Sequence, residues 1–328
     1  MRSPIETAGK CPDISEQRAR ERPPRGRCAQ AGIGVVTGVG RRRGAALETA
    51  ALVLVLSSAF LHAAWNALLK RHPNPEVGVV SVMSVVILAS GIWALGMRGP
   101  AFSSSEGLVW ALWAGVCESV YLAGLARSLR QAPLGLAYTV SRGGAMLLVW
   151  PVSVLWLGEA VSSWTVSGVA MLCVGLAVMN LSRPSGAAGA GVAWAALSAV
   201  GIAGYHLSYK MALGTGAQPP ALFATGLLVA LPVLILERGR QQGWAAFRRE
   251  ALLAPGLVLT AGLISALSFG LLLTALAGGG AGVVLTLRNT SIAFALVLAA
   301  LQGERLGRRQ LSGAALVAVG ALLLGVPA

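Results

Sequence analysis

Charge is scarce in this 328-residue chain: only 12% of its positions are Asp, Glu, Lys or Arg, against about a quarter in a soluble domain. With 55% hydrophobic residues beside so few charges, a water-soluble globular fold is excluded and a polytopic membrane protein is indicated. Acidic residues are scarcer still, 12 against 26 basic ones, for a net charge of +14. That excess lies in an amino-terminal tail and in short polar breaks, without the interleaved aromatics of a nucleic-acid surface, so nucleic acid is not an expected partner. Cysteine is nearly absent. Cys11 and Cys28 lie in the tail and Cys117 and Cys173 in apolar runs, which excludes a disulfide framework and a cysteine metal site. The three histidines, His62, His72 and His206, share no ligand spacing, so no metal or cofactor is expected. HExxH, GxSxG and paired intramembrane aspartates are missing too, which argues against an enzyme.

What is present is a series of apolar runs. From Ala50 onward, ten segments of spanning length alternate with short polar breaks, at about 50–69, 77–97, 107–126, 134–157, 163–181, 191–212, 219–237, 252–275, 281–302 and 310–326. Lipid cannot satisfy an open backbone, and these Leu/Ala-rich runs lack the alternation of a barrel, so each is expected to be a helix. Residues 1–48 are different, rich in Arg and Pro and without periodicity, and read as a disordered basic tail. An anchored cytoplasmic tail, a targeting segment and an extension from a misplaced start codon are three readings of it, the last being preferred. A linker at 182–190 (SRPSGAAGA runs from Ser182) divides the rest into 49–181 and 191–328, five spans each.

The halves repeat one another. Arg142 to Glu159 reads RGGAMLLVWPVSVLWLGE, and Arg288 to Glu304 reads RNTSIAFALVLAALQGE, an arginine well inside a span that Gly-Glu closes. Trp65, Asn66 and Lys70 in the first span match Tyr205, His206 and Lys210 in the sixth, 140 positions later. Tandem repeats of an odd number of spans insert with opposite orientations. The expected architecture is an all-α polytopic membrane protein of ten transmembrane helices, as two inverted five-helix repeats that meet around a midplane cavity.

An arginine at that depth costs roughly 2.5 to 3.5 kcal/mol on insertion scales, so it faces a polar cavity or a protein partner. Arg142 and Arg288 therefore head the expected substrate-binding residues, since a guanidinium fork suits carboxylate, phosphate or phosphonate. The alternative is that each bonds backbone carbonyls, pairs with a buried carboxylate or snorkels to the interface. Glu118 is the one acidic residue well inside a span. It either pairs with a cation such as Arg142 or carries a coupling proton. His62, Trp65, Asn66 and Lys70 form one helical stripe, and Tyr205, His206, Tyr209 and Lys210 a shorter one. Such stripes line the cavity or bond across helices, except that Lys70, near its span end, snorkels. Pro151 can bend the fourth span beside the cavity, and Gly278-Gly279-Gly280 makes a tight connection. Glu159 and Glu304, at span ends, call for a backbone N–H or loop-arginine partner as caps.

These residues carry a resemblance. HAAWNALLK at 62–70, QAPLGLAYTVSRG at 131–143 and the closures LGE at 157–159 and QGE at 302–304 resemble the EamA-type carriers of the drug/metabolite transporter superfamily, over nearly everything after residue 50. The resemblance implies export or uptake of a small metabolite (amino acid, nucleoside, sugar or organic acid) by alternating access, in a bacterial-type inner membrane. Distant relatives exchange phosphorylated sugars. Combined with the arginines, it makes an anionic or zwitterionic solute the expected substrate. A multidrug or cation exporter of the same fold and a non-transporting scaffold or receptor are the alternatives. The expected partners are the solute, the bilayer and a proton or counter-solute, with the chain a monomer or homodimer. If positive charge stays inside, the Arg-rich odd-numbered loops are cytoplasmic, while the basic tail argues for the reverse.

Overall fold

The computed structural model describes residues 49–132, 137, 139–180, 189–301 and 307–324. The expected disordered tail, most of the linker and the Gly303-Glu304 closure lie outside these residues. Every described regular element is helical. In chain order they are α1 Thr49–Leu69, α2 Pro75–Gly96, α3 Ser105–Gln131, a π-helical turn Thr139–Gly143 running into α4 Gly144–Leu155, α5 Ser163–Asn180, α6 Gly189–Gly214, α7 Pro219–Gln242, α8 Trp244–Ala251, α9 Pro255–Gly278, α10 Ala281–Arg288, α11 Ser291–Leu301 and α12 Arg308–Leu324.

Local chemistry sets the helix starts. Asn74 caps α2, its side chain accepting from the N–H of Glu76 and Val77, and Ser104 caps α3 through the Gly107 N–H. Proline opens α2, α7 and α9, where its missing N–H would have no intrahelical partner. Among the described residues, seven helical segments are long and apolar enough to cross a membrane, and shorter apolar helices run over Val140–Leu155, Ser163–Val178 and Leu311–Leu324. Large apolar side chains such as Leu95, Leu155 and Trp156 lie more than four-fifths exposed, as lipid contact requires.

The sequence reading missed two features. α8 is a short helix with Phe247 buried and Arg248 and Arg249 exposed, inside what had read as a loop. The fourth and ninth spans, expected to be continuous, each change near their arginine. In the fourth, Arg142 sits in the π-helical turn before α4. In the ninth, Asn289 and Thr290 form a turn between α10 and α11. Apolar periodicity carries on through both breaks, which is why neither was visible in the sequence.

Helix packing is close and uses small residues. The principal partners are α3 with α6, α1 with α9, and α5 with α12; α7 packs on α2 and α3, and α9 also packs on α2. Lipid tails are as apolar as leucine, so helix association here rests on backbone approach and interhelical hydrogen bonds rather than on escape from water. At the α5–α12 crossing, a Cβ at Gly168 would come within 2.9 Å of the Gly320 carbonyl oxygen, and one at Gly320 within 2.7 Å of the Gly168 oxygen. Between α1 and α9, Ser58 and Ser268 each donate a hydroxyl to the other's carbonyl, at 2.5 and 2.9 Å.

The Arg-rich helix ends are tied together. Asn74 donates to Glu250 at 2.6 Å, Arg238 pairs with Glu76, and Arg127 lies 3.6 Å from Glu237. At the opposite end, the Gln218 N–H donates to the Ala101 carbonyl at 2.9 Å, and Ser103 donates to Gly216 at 3.1 Å.

Candidate functional site

α4, α6 and α10 enclose a cavity whose polar lining is Arg142, His206, Thr286, Arg288 and Asn289, with Ala145, Met146, Val149 and Ile202 among the apolar walls. The two arginines that the sequence paired thus face one space, one from each half. The cavity measures about 20 Å³, room for little more than a water molecule.

Arg288 is only 3% exposed and ends α10. Its Nη1 donates to the Ser58 carbonyl, and its Nη2 to His62 Nδ1 at 2.9 Å and Ser268 Oγ at 3.1 Å. The guanidinium also lies 5.2 Å from the Phe269 ring centroid, and that ring stacks on Phe223. A guanidinium has five N–H donors, so these bonds leave two. Neutral partners hold this arginine without cancelling its charge. Arg142, half-buried, lines the same cavity.

The two helical stripes divide. His206 lines the cavity, its Nδ1 donating to the Ile202 carbonyl at 2.9 Å, which leaves Nε2 as its remaining polar atom. His62 stands behind Arg288. Its Nδ1 accepts from Arg288 and, at 3.1 Å, from the Trp65 indole N–H, so it is the neutral Nε2–H tautomer. Trp65 therefore supports His62, and the Asn66 amide donates to the His62 carbonyl on its own helix, at 2.7 Å.

Glu118, Tyr205 and Tyr209 form a second, adjoining cluster. Glu118 is buried, and its Oε1 accepts from the Tyr209 hydroxyl at 3.0 Å, while Oε2 has no hydrogen-bond partner among the described residues. Tyr205 lies tilted against His206 with ring centroids 4.0 Å apart, and its centroid is 5.9 Å from that of Tyr121 and 5.7 Å from that of Tyr209.

Sequence reasoning did not find Ser58, Ser268 or Phe269, which hold Arg288, nor Thr286 and Asn289 in the lining. Ser58 precedes His62 by one helical turn, a signal that was available; Ser268 is one small polar residue in an apolar run and gave none. Glu159 meets its expectation of a backbone N–H partner, accepting from Ala281 and Gly282. Its counterpart Glu304 lies outside the described residues. Among the described residues no cluster of His, Cys, Asp or Glu could hold a metal ion.

Residues 189–326 match the EamA-like transporter family, a family of membrane transporters rather than enzymes and part of the drug/metabolite transporter superfamily. A solved crystal structure of a protein is similar over 84% of this chain and 98% of its own, with a TM-score of 0.64 at 16% identity, a likeness of fold alone. With its apolar spanning helices, the chain is an integral, multi-pass membrane protein.

Proposed function

We propose, on the premise that the second half is an EamA-like transporter domain, that the chain is a secondary transporter of a small anionic or zwitterionic solute. Arg142 and Arg288 recognise an amino acid, an organic acid or a phosphorylated or phosphonate compound, and two inverted five-helix repeats rock around them. The observation that carries this reading is the convergence of the two arginines, one per half, on one cavity. A cavity of about 20 Å³ admits no such solute, so the helices must part for it to enter, as alternating access requires.

Packing supports the inverted repeat. Exchanging the first five spans with the last five turns the α3–α6 contact into the α9–α1 contact and α3–α7 into α9–α2, and maps α5–α12 and α2–α7 onto themselves; all of these contacts occur. Matching glycines make matching approaches. A Cβ at Gly115 in α3 would lie 2.5 Å from the Gly226 carbonyl oxygen of α7, and one at Gly262 in α9 would lie 3.3 Å from the Val82 oxygen of α2. Breaks at Arg142 and Arg288 fit the discontinuous spans from which midplane sites are built.

The test is uptake and counterflow in proteoliposomes, with metabolites grouped as anionic, zwitterionic, neutral and cationic. Saturable transport confined to the first two groups is expected. Arg142→Gln or Arg288→Gln should then weaken apparent affinity by roughly 10- to 100-fold, the worth of a hydrogen bond to a charged group. Unchanged transport in the double variant would remove the arginines from the site. A cation or drug exporter of the same fold is the second reading, favoured by Glu118 beside the tyrosine rings. Transport of cations alone would select it.

A further inference from the structure

The connection between α9 and α10 is gripped from both sides. It consists of Gly279 and Gly280. From α6, Lys210 Nζ donates to the carbonyls of Leu276 and Gly279, both at 2.7 Å, and so takes up acceptors that the end of α9 leaves open. From the loop after α4, the Glu159 carboxylate accepts from the N–H of Ala281 and, at 3.0 Å, of Gly282, the free donors that open α10. Gly158, at φ +65, turns the chain to aim this carboxylate, and the Glu159 N–H is fixed to the Ser153 carbonyl at 3.0 Å. A Cβ at Gly280 would stand 2.8 Å from Glu159 Oε2, so the glycine lets the carboxylate reach the backbone. The ammonium and the carboxylate also attract one another across the connection.

This grip joins parts that transport would have to separate. Glu159 belongs to the first half of the chain, and Lys210 and the connection to the second. α10 is eight residues long; it starts in the grip, contributes Gly282, Leu285 and Thr286 to the cavity wall, and ends in Arg288. The grip sits at the Arg-poor end of the molecule. Lys70, which matches Lys210 in the repeat but stands at the Arg-rich end, is exposed, and its ammonium has no hydrogen-bond partner among the described residues. Among the described residues, one end is held by its lysine and the other is not.

We propose that Glu159 and Lys210 are a latch: they hold the Arg-poor end of the cavity shut and position Arg288 through α10, and their release opens that end to solute. This rests on the transporter reading, but its test needs no solute. Thr286→Cys places a thiol in the cavity wall, and a membrane-impermeant maleimide is applied to vesicles of each orientation, with the parent chain subtracted for its native cysteines. Lys210→Met and, separately, the near-isosteric Glu159→Gln should raise labelling from the Arg-poor side by at least about tenfold, the effect of losing even one charge-assisted hydrogen bond. Labelling from the Arg-rich side should stay level or fall. Rates unchanged in both variants, or raised equally from the two sides as in a chain that has lost its packing, would overturn the latch. A chain that moved no solute in the panel but showed one-sided labelling would refute the transporter reading and leave the latch in place.

Discussion

Glu118 is buried in α3, and among the described residues its carboxylate accepts one hydrogen bond, from Tyr209. An unsatisfied buried polar group costs about 1–3 kcal/mol, and more when it is charged. Tyr209→Phe removes the one donor and should lower the melting temperature of the detergent-solubilised protein by several degrees. Glu118→Gln keeps an acceptor for the same hydroxyl and lightens the desolvation penalty, so it should change stability much less. The order of the two melting temperatures is the measurement, and equal losses would show that the bond contributes nothing particular. Glu118 was legible in the sequence as the lone carboxylate inside a span. Tyr209 could be placed on the same helical stripe as His206, but that its hydroxyl reaches Glu118 depends on how closely α6 lies to α3.

Glycine spacing governs the elements. On α6, a Cβ at Gly201 would come within 2.6 Å of the Tyr121 N and 2.8 Å of the Cys117 carbonyl oxygen on α3. No side-chain rearrangement can relieve a clash with backbone, so Gly201→Val must force the two helices apart. Overpacking of this kind costs about 1–3 kcal/mol. Gly201→Val and Gly168→Val should each broaden the size-exclusion profile and lower the melting temperature, whereas Gly91→Ala, with open space around it, should leave both unchanged. Equal profiles for all three would show that close approach does not hold these pairs. Element positions were largely readable from the lengths of the apolar runs. α8 was not, because eight residues of mixed polarity between two spans look the same as a loop until Phe247 is seen to be buried.

At the scale of the molecule, charge is segregated by end. Arg71, Arg127, Arg240, Arg248 and Arg249 lie at the end where α1, α3 and α7 finish, whereas the opposite end has Arg98. Basic loops remain cytoplasmic, so the Arg-rich end is predicted to face the cytoplasm, with the latched end outside. A reporter active only in the cytoplasm should work when fused after Gln242 and fail when fused after Thr215. The reverse pattern would mean that the basic amino-terminal segment, and not the loops, sets the orientation. Small-molecule access would then be reversed at both ends of the cavity.

Chemical composition and its periodicity determined that this chain resides in a bilayer and where most of its helices run, because lipid leaves the backbone no alternative to internal hydrogen bonding. The paired arginines were legible for the same reason: a charge that deep is too costly to be accidental. Tertiary structure alone decided that both arginines face one cavity, that Ser58, Ser268 and His62 hold Arg288, and that Glu159 and Lys210 grip the connection between α9 and α10. Those contacts join residues 20 to 230 positions apart. Their partners are mostly carbonyls and N–H groups, which every residue carries, so no side-chain pattern along the chain could have announced them.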